Sequence, residues 1–376
     1  MDKPECIRQR LDDDGNPKIP FDNLHLNISE IDAYDKDLNF VFSEREPGKT
    51  TTIIANKAYK AFKEKGQFFI SLVFNTVDIN DVSIYSIQKT VNKFQKREVQ
   101  LYYNKSDAEK GAVLVFDKIE KRPFFAMFSL SVPIKRIKSL NLGTPSLILL
   151  DEASVATQLG EKYPIGMAMK VKEIYKTFAR EAPNHRLKFY AMANPYSKYN
   201  PLLIDWGIPM DKVKRGSVYT DEKHLVMCAT LKPELRQKIL ETDPFYQFDD
   251  AYSKYAFDGE FIQDEDIPIE AKRPNGYFLR YVFRIQNRYL YVWRKTADLD
   301  LDPFDNVKFW IEATGEKPGK KQNVYCADFT QLLKNAVLVK SYKGFFELIK
   351  ISVARNCVFY NSPEAFYLMT QLYNSF

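Results

Sequence analysis

One short loop constrains the fold of this chain more than any other part of the sequence. The apolar segment 38–42 leads into a loop that ends in Gly48-Lys49-Thr50, and an amphipathic segment follows directly. A strand, a glycine-containing loop and a helix in this order form a P-loop, whose backbone N–H groups and positive helix end bind phosphate. The pattern assigns Lys49 to the β- and γ-phosphates and the Thr50 hydroxyl to magnesium, with Gly48 and Thr51 beside them.

The loop departs from the usual P-loop pattern at its start. Ser43 stands where a glycine is common, and Glu44 and Glu46 place negative charge near the expected phosphates. Arg45 lies inside the loop, where a guanidinium group can clamp phosphates, although a surface arginine is the alternative. Gly-Lys-Thr also occurs by chance at the start of lysine-rich helices, so the assignment depends on the rest of the sequence.

Polar residues follow two further apolar runs. Asp151-Glu152 comes directly after Leu147–Leu150. In an ATPase site Asp151 would hold magnesium through water and Glu152 would polarise the attacking water, whereas the alternative is two acids that begin a helix. The P-loop upstream makes the catalytic interpretation the preferred one. Asn194 ends the run 187–193, where its side chain can sense the γ-phosphate or start an Asn-Pro turn.

The chain alternates strand and helix patterns over its first 230 residues, which predicts an α/β fold with a mostly parallel sheet. Ligands of such sheets bind at the carboxyl ends of the strands, where the P-loop, Asp151-Glu152 and Asn194 all fall. After residue 230 the pattern changes to a short helix, an acidic stretch and a strong hairpin signal at 277–295. We therefore predict an ATPase domain at 1–230, a linker at 231–270 and a small α+β domain at 271–376.

Charge is distributed unevenly along the 376 residues. Residues 241–270 hold ten acidic residues and one lysine, and residues 271–376 hold sixteen basic and nine acidic residues. A basic C-terminal region suits a nucleic-acid partner, and a solvated basic surface is the alternative. Four arginines interleaved with aromatic residues are the candidates for contact with a phosphate backbone: Arg280, Arg284, Arg288 and Arg294.

Clustered carboxylates would instead indicate a two-metal nuclease. The strand expected at 277–285 contains no acid, and of the nearby acids only Asp328 falls in a predicted strand. Nuclease activity is therefore not expected. Four widely spaced cysteines and three histidines argue against a zinc site or a disulfide framework and favour a reducing cytosol. No apolar run is long enough for a membrane span, and no signal-peptide pattern is seen, so no membrane partner is expected.

Ring ATPases usually need a cation from the neighbouring subunit to complete the active site. Arg180, near the end of a helix predicted at 164–181, is the first candidate, and Lys138 is the second. Spacing alone is equally compatible with two surface residues.

Together these motifs resemble the DNA encapsidation proteins of phi-twenty-nine-like podophages, which are packaging-motor ATPases related to large terminases. The resemblance covers most of the chain, and its ATPase motifs are the specific part. It is carried by Tyr34–Val41, the loop with Arg45 and Gly48-Lys49, Leu149–Glu152, Phe178–Arg180, Met192–Pro195, Asp258–Glu260 and Lys340–Lys343.

The resemblance implies an N-terminal P-loop ATPase of the additional-strand, catalytic-glutamate (ASCE) class, which uses ATP and Mg²⁺. A short linker and a ribonuclease H-like domain without nuclease activity would follow. By this resemblance Lys49 and Thr50 belong to Walker A, and Asp151 and Glu152 to Walker B. Arg180 falls near the trans-acting arginine of the family. Lys138 falls near a second trans-acting basic position of the family.

The family also implies partners. Five subunits would form a ring at the portal of the procapsid, in the host cytoplasm, and drive double-stranded DNA inward; some members also use a structural RNA.

Three alternatives remain at this point. A P-loop helicase or remodeller would separate strands, whereas a packaging motor moves intact duplex. A terminase with an active nuclease would cleave DNA through Asp328. A portal-associated binding protein with a degenerate nucleotide site is the alternative outside the enzymes, motivated by Glu44 and Glu46.

Overall fold

The computed structural model describes two compact units of the chain. They comprise Met1–Ser197 with Pro209–Ile262, and Lys198–Ile208 with Gln263–Phe376. The predicted domains at 1–230, 231–270 and 271–376 remain a prediction about which segments act together. The residues described are 10–11, 17–18, 25–44, 48–95, 98–138, 142–156, 161–164, 166–180, 186–242, 261, 267–285, 288–295, 307–320, 322–326, 336–338 and 343–374.

Strands and helices alternate along most of these residues. The strands are β1 (Arg10–Leu11), β2 (Pro17–Lys18), β3 (Leu38–Ser43), β4 (Phe69–Val73), β5 (Leu101–Tyr103), β6 (Ala112–Asp117), β7 (Arg122–Ser129), β8 (Leu147–Leu150), β9 (Lys188–Ala193), β10 (Val218–Thr220), β11 (His224–Ala229), β12 (Tyr277–Ile285), β13 (Arg288–Lys295), β14 (Phe309–Thr314), β15 (Val324–Cys326), β16 (Ala336–Leu338) and β17 (Val358–Tyr360). The helices are α1 (Ile28–Asp32), α2 (Lys49–Thr51), α3 (Tyr59–Lys65), α4 (Asp81–Phe94), α5 (Lys105–Glu109), α6 (Ile134–Lys138), α7 (Met167–Arg180), α8 (Pro201–Trp206), α9 (Pro233–Thr242), α10 (Lys343–Ala354) and α11 (Pro363–Asn374). A π-helical segment, Thr52–Ala58, joins α2 to α3, and short 3₁₀ turns lie at Thr76–Asp78 and Met210–Lys212.

The first unit is built on a nine-stranded sheet in the order β10-β11-β3-β9-β8-β4-β7-β6-β5. The strands from β11 to β7 pair in parallel, and the two edges are antiparallel. This confirms the predicted mostly parallel α/β sheet. Strand β9 lies between the P-loop strand β3 and the Asp151 strand β8, so the additional strand expected for this class of ATPase is present.

The central strands are apolar on both faces because helices cover both sides of a parallel sheet. Phe40, Val41, Ile70, Leu150 and Ala191 are fully buried.

The helix that follows the P-loop runs from Lys49 to Lys65 and contains the seven-residue π-helical segment. The predicted helix over 49–64 is therefore present, but its hydrogen-bond pattern could not be foreseen from the apolar spacing. Gly66, at φ 69°, ends the helix in the left-handed region that favours glycine. Near the start of the helix, the Thr52 hydroxyl accepts a hydrogen bond from the Ile28 N–H at 2.9 Å, which ties α1 to it.

A buried polar cluster joins α1, the π-helical segment and β9. The Asp32 carboxylate accepts hydrogen bonds from Lys57 and from the Tyr190 hydroxyl, the latter at 2.5 Å, and lies 3.4 Å from the Lys188 ammonium. Burial acts to raise the pKa of Asp32, but the bonds from Lys57 and Tyr190 outweigh it and hold that pKa below its ordinary value. Burial and the Asp32 charge raise the pKa of Tyr190, so its hydroxyl keeps its proton and acts as a donor.

The second unit contains a six-stranded sheet in the order β16-β15-β12-β13-β14-β17. Strands β12, β13 and β14 form an antiparallel meander, and β15 and β16 extend it in parallel beside β12. This is the strand arrangement of the predicted ribonuclease H-like fold, extended by the parallel strand β17. Helix α10 packs on the sheet through Phe346, which is buried, and Phe345, which stacks on Phe283.

No helix among the described residues is both long enough and apolar enough to cross a bilayer.

We expect Tyr190→Phe to lower the free energy of unfolding by about 1 kcal/mol near neutral pH, because the partly buried Asp32 carboxylate loses a donor. Urea unfolding followed by circular dichroism measures the change. The loss should shrink as the pH falls through the lowered pKa of Asp32, since the protonated carboxyl no longer needs that donor. Tyr102→Phe is the matched control at an exposed ring. Equal losses in the two variants, or a loss unchanged in acid, would contradict this account.

Candidate functional site

Three parallel strands end side by side at one edge of the first sheet. Phe42 of β3 is in register with Ala193 of β9, and Leu150 of β8 is in register with Ala191. The loop after β3, the residue after β9 and the acids after β8 therefore converge, as the sequence predicts for the carboxyl edge of a parallel sheet.

The first contact at this edge joins the P-loop helix to β8. The Thr50 hydroxyl lies 2.8 Å from both oxygens of the Asp151 carboxylate. Burial raises the pKa of Asp151, while the Thr50 hydroxyl and the Lys49 charge act in the opposite direction. A hydroxyl and a carboxylate side by side are the hard oxygen donors that Mg²⁺ prefers, so both predicted metal residues fit that ion.

Lys49 joins the P-loop to the end of β9. Its ammonium lies within hydrogen-bond distance of four oxygens: Ser43 O at 2.8 Å, Glu44 O at 3.0 Å, Asn194 Oδ1 at 3.0 Å and Ala193 O at 3.3 Å. An ammonium group has three protons, so these oxygens already use all of its donors. A phosphate oxygen can therefore bind Lys49 only in exchange for one of them.

Gly48 starts the helix with its backbone in the left-handed region, at φ 77°. A side chain there would be strained, and its Cβ would approach the His25 ring to 3.5 Å. His25 therefore lies beside Gly48, a position that gave no signal in the sequence. Arg45 and Glu46 lie outside the described residues, and Thr51 occupies the first turn of the helix.

The Glu44 side chain is fully buried. Its Oε2 accepts a hydrogen bond from the Leu231 N–H at 3.0 Å, and its Oε1 lies 3.9 Å from the Arg215 guanidinium. Burial raises the pKa of Glu44, and Arg215 opposes that shift. The main-chain carbonyl of Glu44 accepts a hydrogen bond from Lys49, while its carboxylate accepts one from Leu231.

Glu152 follows Asp151 in a backbone conformation that is uncommon outside glycine, at φ 52°. Its side chain is exposed, and the next residue is anchored by a hydrogen bond from the Ala153 N–H to the Met192 carbonyl at 2.7 Å. The turn thus places Glu152 next to Asp151 at the carboxyl edge of the sheet, with its side chain exposed to solvent.

Arg180 lies at the far end of the sheet from these residues. Lys170, in the first part of α7, donates to the Leu130 carbonyl beyond the carboxyl end of β7. The Tyr175 hydroxyl donates at 2.9 Å to the Leu187 carbonyl, just before β9 begins. Helix α7 therefore runs from the carboxyl edge of the sheet, where Asp151 lies, to the amino edge. Its fourteen residues give it a length of about 20 Å. Arg180 is exposed at its last position, so the structure does not bring it to Asp151 or Glu152 of the same chain.

The second predicted cation, Lys138, is the last residue of α6, which begins shortly after the carboxyl end of β7. The backbone of Lys138 therefore lies on the side of the carboxyl edge of the sheet, where Asp151 lies.

The four arginines proposed for DNA contact do not share one face of the second sheet. Arg280 is an unpaired residue in a β-bulge, since Leu279 and Tyr281 pair with consecutive residues of β13. Arg284 pairs with Tyr289 and so lies on the opposite face from Arg288 and Arg294.

Arg288 has a structural partner of its own. Its guanidinium donates to the Glu364 carboxylate of α11 at 2.7 Å, and both side chains are largely buried. Strand β12 carries no carboxylate, and Asp328 lies outside the described residues. Among the residues that the structure describes, no three His, Cys, Asp or Glu side chains are grouped as metal ligands.

Comparison with known proteins connects this geometry to one class of fold. No protein-family model matches the chain, and no curated protein matches its sequence. Among solved structures, the Phi-28 gp11 DNA packaging motor is similar with a TM-score of 0.62 and 16% identity, over 94% of this chain and 98% of that chain. The bacteriophage Phi-29 viral genome packaging motor assembly is similar with a TM-score of 0.58 and 18% identity, over 94% of this chain and 99% of that chain. The chain therefore has the fold of these phage DNA packaging motor proteins, as the resemblance in its sequence predicts.

Proposed function

We propose that this chain is a phage packaging ATPase that hydrolyses ATP to move double-stranded DNA into a procapsid. The observation that carries the proposal is the convergence of Lys49, Thr50, Asp151 and Asn194 at one edge of the sheet. In an arbitrary α/β protein, the same arrangement of residues would be weak support for a packaging ATPase. Here it occurs in a chain whose fold, over nearly its full length, is that of two solved DNA packaging motors.

Nucleotide binding follows from the donors at the start of the P-loop helix. The N–H groups of Gly48 to Thr51 and the positive helix end favour phosphate oxygens, and Lys49 exchanges a carbonyl oxygen for a phosphate oxygen. Thr50 and Asp151 would hold a magnesium ion, which neutralises charge on the phosphates when it is bound. Arg45, within the same loop, is proposed to clamp the phosphates from the other side.

Hydrolysis requires a carboxylate that orients water and accepts its proton. Glu152 is exposed at the catalytic edge, next to Asp151, and takes this role. The amide oxygen of Asn194 accepts a hydrogen bond from Lys49 at 3.0 Å, so loss of that bond on phosphate binding would report the presence of the γ-phosphate.

A single subunit cannot supply the final cation, because Arg180 lies at the opposite edge of its own sheet. We propose that Arg180 acts on the site of a neighbouring subunit in a ring, with Lys138 as a second trans-acting group. The ring would contain five subunits and dock at the portal, in the host cytoplasm, with a structural RNA as a further partner. Basic side chains would grip the DNA backbone without reading its sequence; the candidates are Arg280, Arg284, Arg288 and Arg294, of which Arg288 already donates to Glu364.

The buried position of Glu44 bears on the non-enzyme alternative. That alternative depended on Glu44 and Glu46; the Glu44 carboxylate accepts a hydrogen bond from Leu231 and lies 3.9 Å from Arg215, which offset part of its charge, and Glu46 lies outside the described residues. An ATPase with a functional P-loop is therefore the better-supported function.

The decisive test is DNA entry into purified cognate procapsids. With ATP, the wild-type chain should make a linear duplex resistant to added nuclease, and Lys49→Ala should reduce the protected DNA at least 100-fold. Lys60→Ala, at an exposed lysine on the same helix, is the matched control and should package normally. Protection that is independent of ATP, or strand separation without protection, would contradict a packaging motor and favour a binding protein or a helicase.

Glu152→Gln should bind ATP with an affinity within a few-fold of the wild type but hydrolyse it about 10²–10⁴ times more slowly, because the base that accepts the proton of water is lost. Calorimetric titration with ATPγS measures binding, and phosphate release in the presence of DNA and procapsids measures turnover. Glu64→Gln, at an exposed acid of α3, should be fully active. Turnover retained in Glu152→Gln would remove the catalytic assignment.

Mixing two inactive variants tests whether Arg180 acts in trans. As pure proteins, Arg180→Ala should lose about 10³–10⁵-fold in turnover and Glu152→Gln about 10²–10⁴-fold, since the transition state loses either its cation or its base. In an equal mixture, about a quarter of the interfaces pair an intact Glu152 with an intact Arg180, so activity should return toward that fraction. Lys176→Ala, at an exposed position of α7, is the control for changes to the helix surface. A mixture no more active than its components would rule out the trans assignment.

A further inference from the structure

Glu44 contacts two different parts of the first unit through two different groups. Its main-chain carbonyl accepts a hydrogen bond from the Lys49 ammonium at 3.0 Å. Its side-chain carboxylate accepts one from the Leu231 N–H at 3.0 Å. One residue therefore joins the phosphate-binding lysine to the segment that leads into α9.

Helix α9 rests on the other two segments of the catalytic edge as well. Leu231, Leu235 and Ile239 form a buried apolar cluster with Ala156, which follows the Asp151-Glu152 turn, and with Tyr196, which follows Asn194. The helix thus contacts the continuations of β8 and β9 through apolar packing, and Leu231, two residues before the helix begins, contacts the end of β3 through Glu44. In the sequence, α9 is also the last element before the acidic stretch that leads to the second unit.

The Glu44 contact is polar, although the surrounding cluster is apolar. Its Oε1 is buried and has no hydrogen-bond partner among the described residues, and the nearest cation, on Arg215, is 3.9 Å away. A buried and incompletely paired carboxylate oxygen costs stability, so packing alone does not explain a glutamate here. A hydrogen bond is directional and can be broken, so it suits a connection between two elements that must respond to the state of the site.

We propose that Glu44 is a positioning residue that transmits the occupancy of the phosphate loop to α9. The inference rests on the proposed ATP-binding function, and it adds the route by which the effect of nucleotide binding is transmitted from the site to α9. Lys49 has no spare donor, so contact with a phosphate withdraws it from one of its four oxygens. When the carbonyl of Glu44 loses this bond, Glu44 is released from Lys49 and can shift, and its carboxylate carries the displacement to Leu231 and α9.

Hydrogen exchange measured by mass spectrometry on the full chain tests this route, with ATPγS as the nucleotide. In the wild type, the exchange rate of the peptide covering 231–242 should differ at least threefold between nucleotide-free and saturated protein. Glu44→Gln should keep this response, because its amide oxygen still accepts the Leu231 N–H. Glu44→Ala should lose the response while still binding ATPγS, as should Glu44→Asp, whose carboxylate is one methylene too short.

Two comparisons separate this coupling from a merely structural role. A structural role would raise exchange in Glu44→Ala equally with and without nucleotide, and would leave the threefold difference in place. Glu234→Ala, at an exposed acid of α9 itself, is the matched control and should respond as the wild type does. If Glu44→Ala does not fold, Glu44→Asp and the wild-type response still decide the question.

The outcomes distinguish the inference from the function on which it rests. Wild-type protein that does not bind ATPγS in a parallel calorimetric titration contradicts the proposed function itself. Wild-type protein that binds ATPγS with no change in the 231–242 peptide overturns the coupling alone. A response that survives in both Glu44→Ala and Glu44→Asp also overturns it.

Discussion

The parallel pairing of β3, β9 and β8 is the constraint on which the site depends. It brings the P-loop, Asn194 and Asp151 to one edge although they lie far apart in the sequence. Two contacts then close the edge: the Thr50 hydroxyl on Asp151 and the Lys49 ammonium on the ends of β3 and β9. Because the strands are buried on both faces, this geometry is held by the core and not by the loops themselves.

The same pairing explains what the sequence could and could not predict. The P-loop, Asp151-Glu152 and Asn194 each follow a local apolar run, so period and composition were enough to place them on one edge. The direction of the Glu44 side chain depends on Leu231 and Arg215, which lie 187 and 171 positions away in the chain. No local pattern carries that information. Strand β11, which pairs with β3 and leads to Leu231, was also not predicted.

The hairpin of the second unit shows a different limit. Its strands were predicted correctly, but the sequence pattern did not show which face of the sheet each arginine occupies, because that depends on the register between the two strands. The pairing of Arg284 with Tyr289 places Arg284 on the face opposite Arg288 and Arg294, and one extra residue at Arg280 interrupts the alternation between Arg280 and Arg284. The partner of Arg288, Glu364, belongs to a helix that was not predicted at all. The charge pattern of the sequence therefore predicted a hairpin rich in basic residues, but it did not predict a single basic face of the sheet.

The direction of α7 links this fold to assembly. A right-handed crossover between two parallel strands returns the chain to the amino edge of the sheet, so the end of α7 cannot lie at the catalytic edge of its own subunit. If Arg180 completes an active site, that site must belong to another copy. Hydrolysis would then require a neighbour, and each subunit would carry an active site at one edge and the completing cation at the other. A head-to-tail arrangement of this kind closes into a ring when the rotation between copies permits, which is the geometry that a motor surrounding DNA requires.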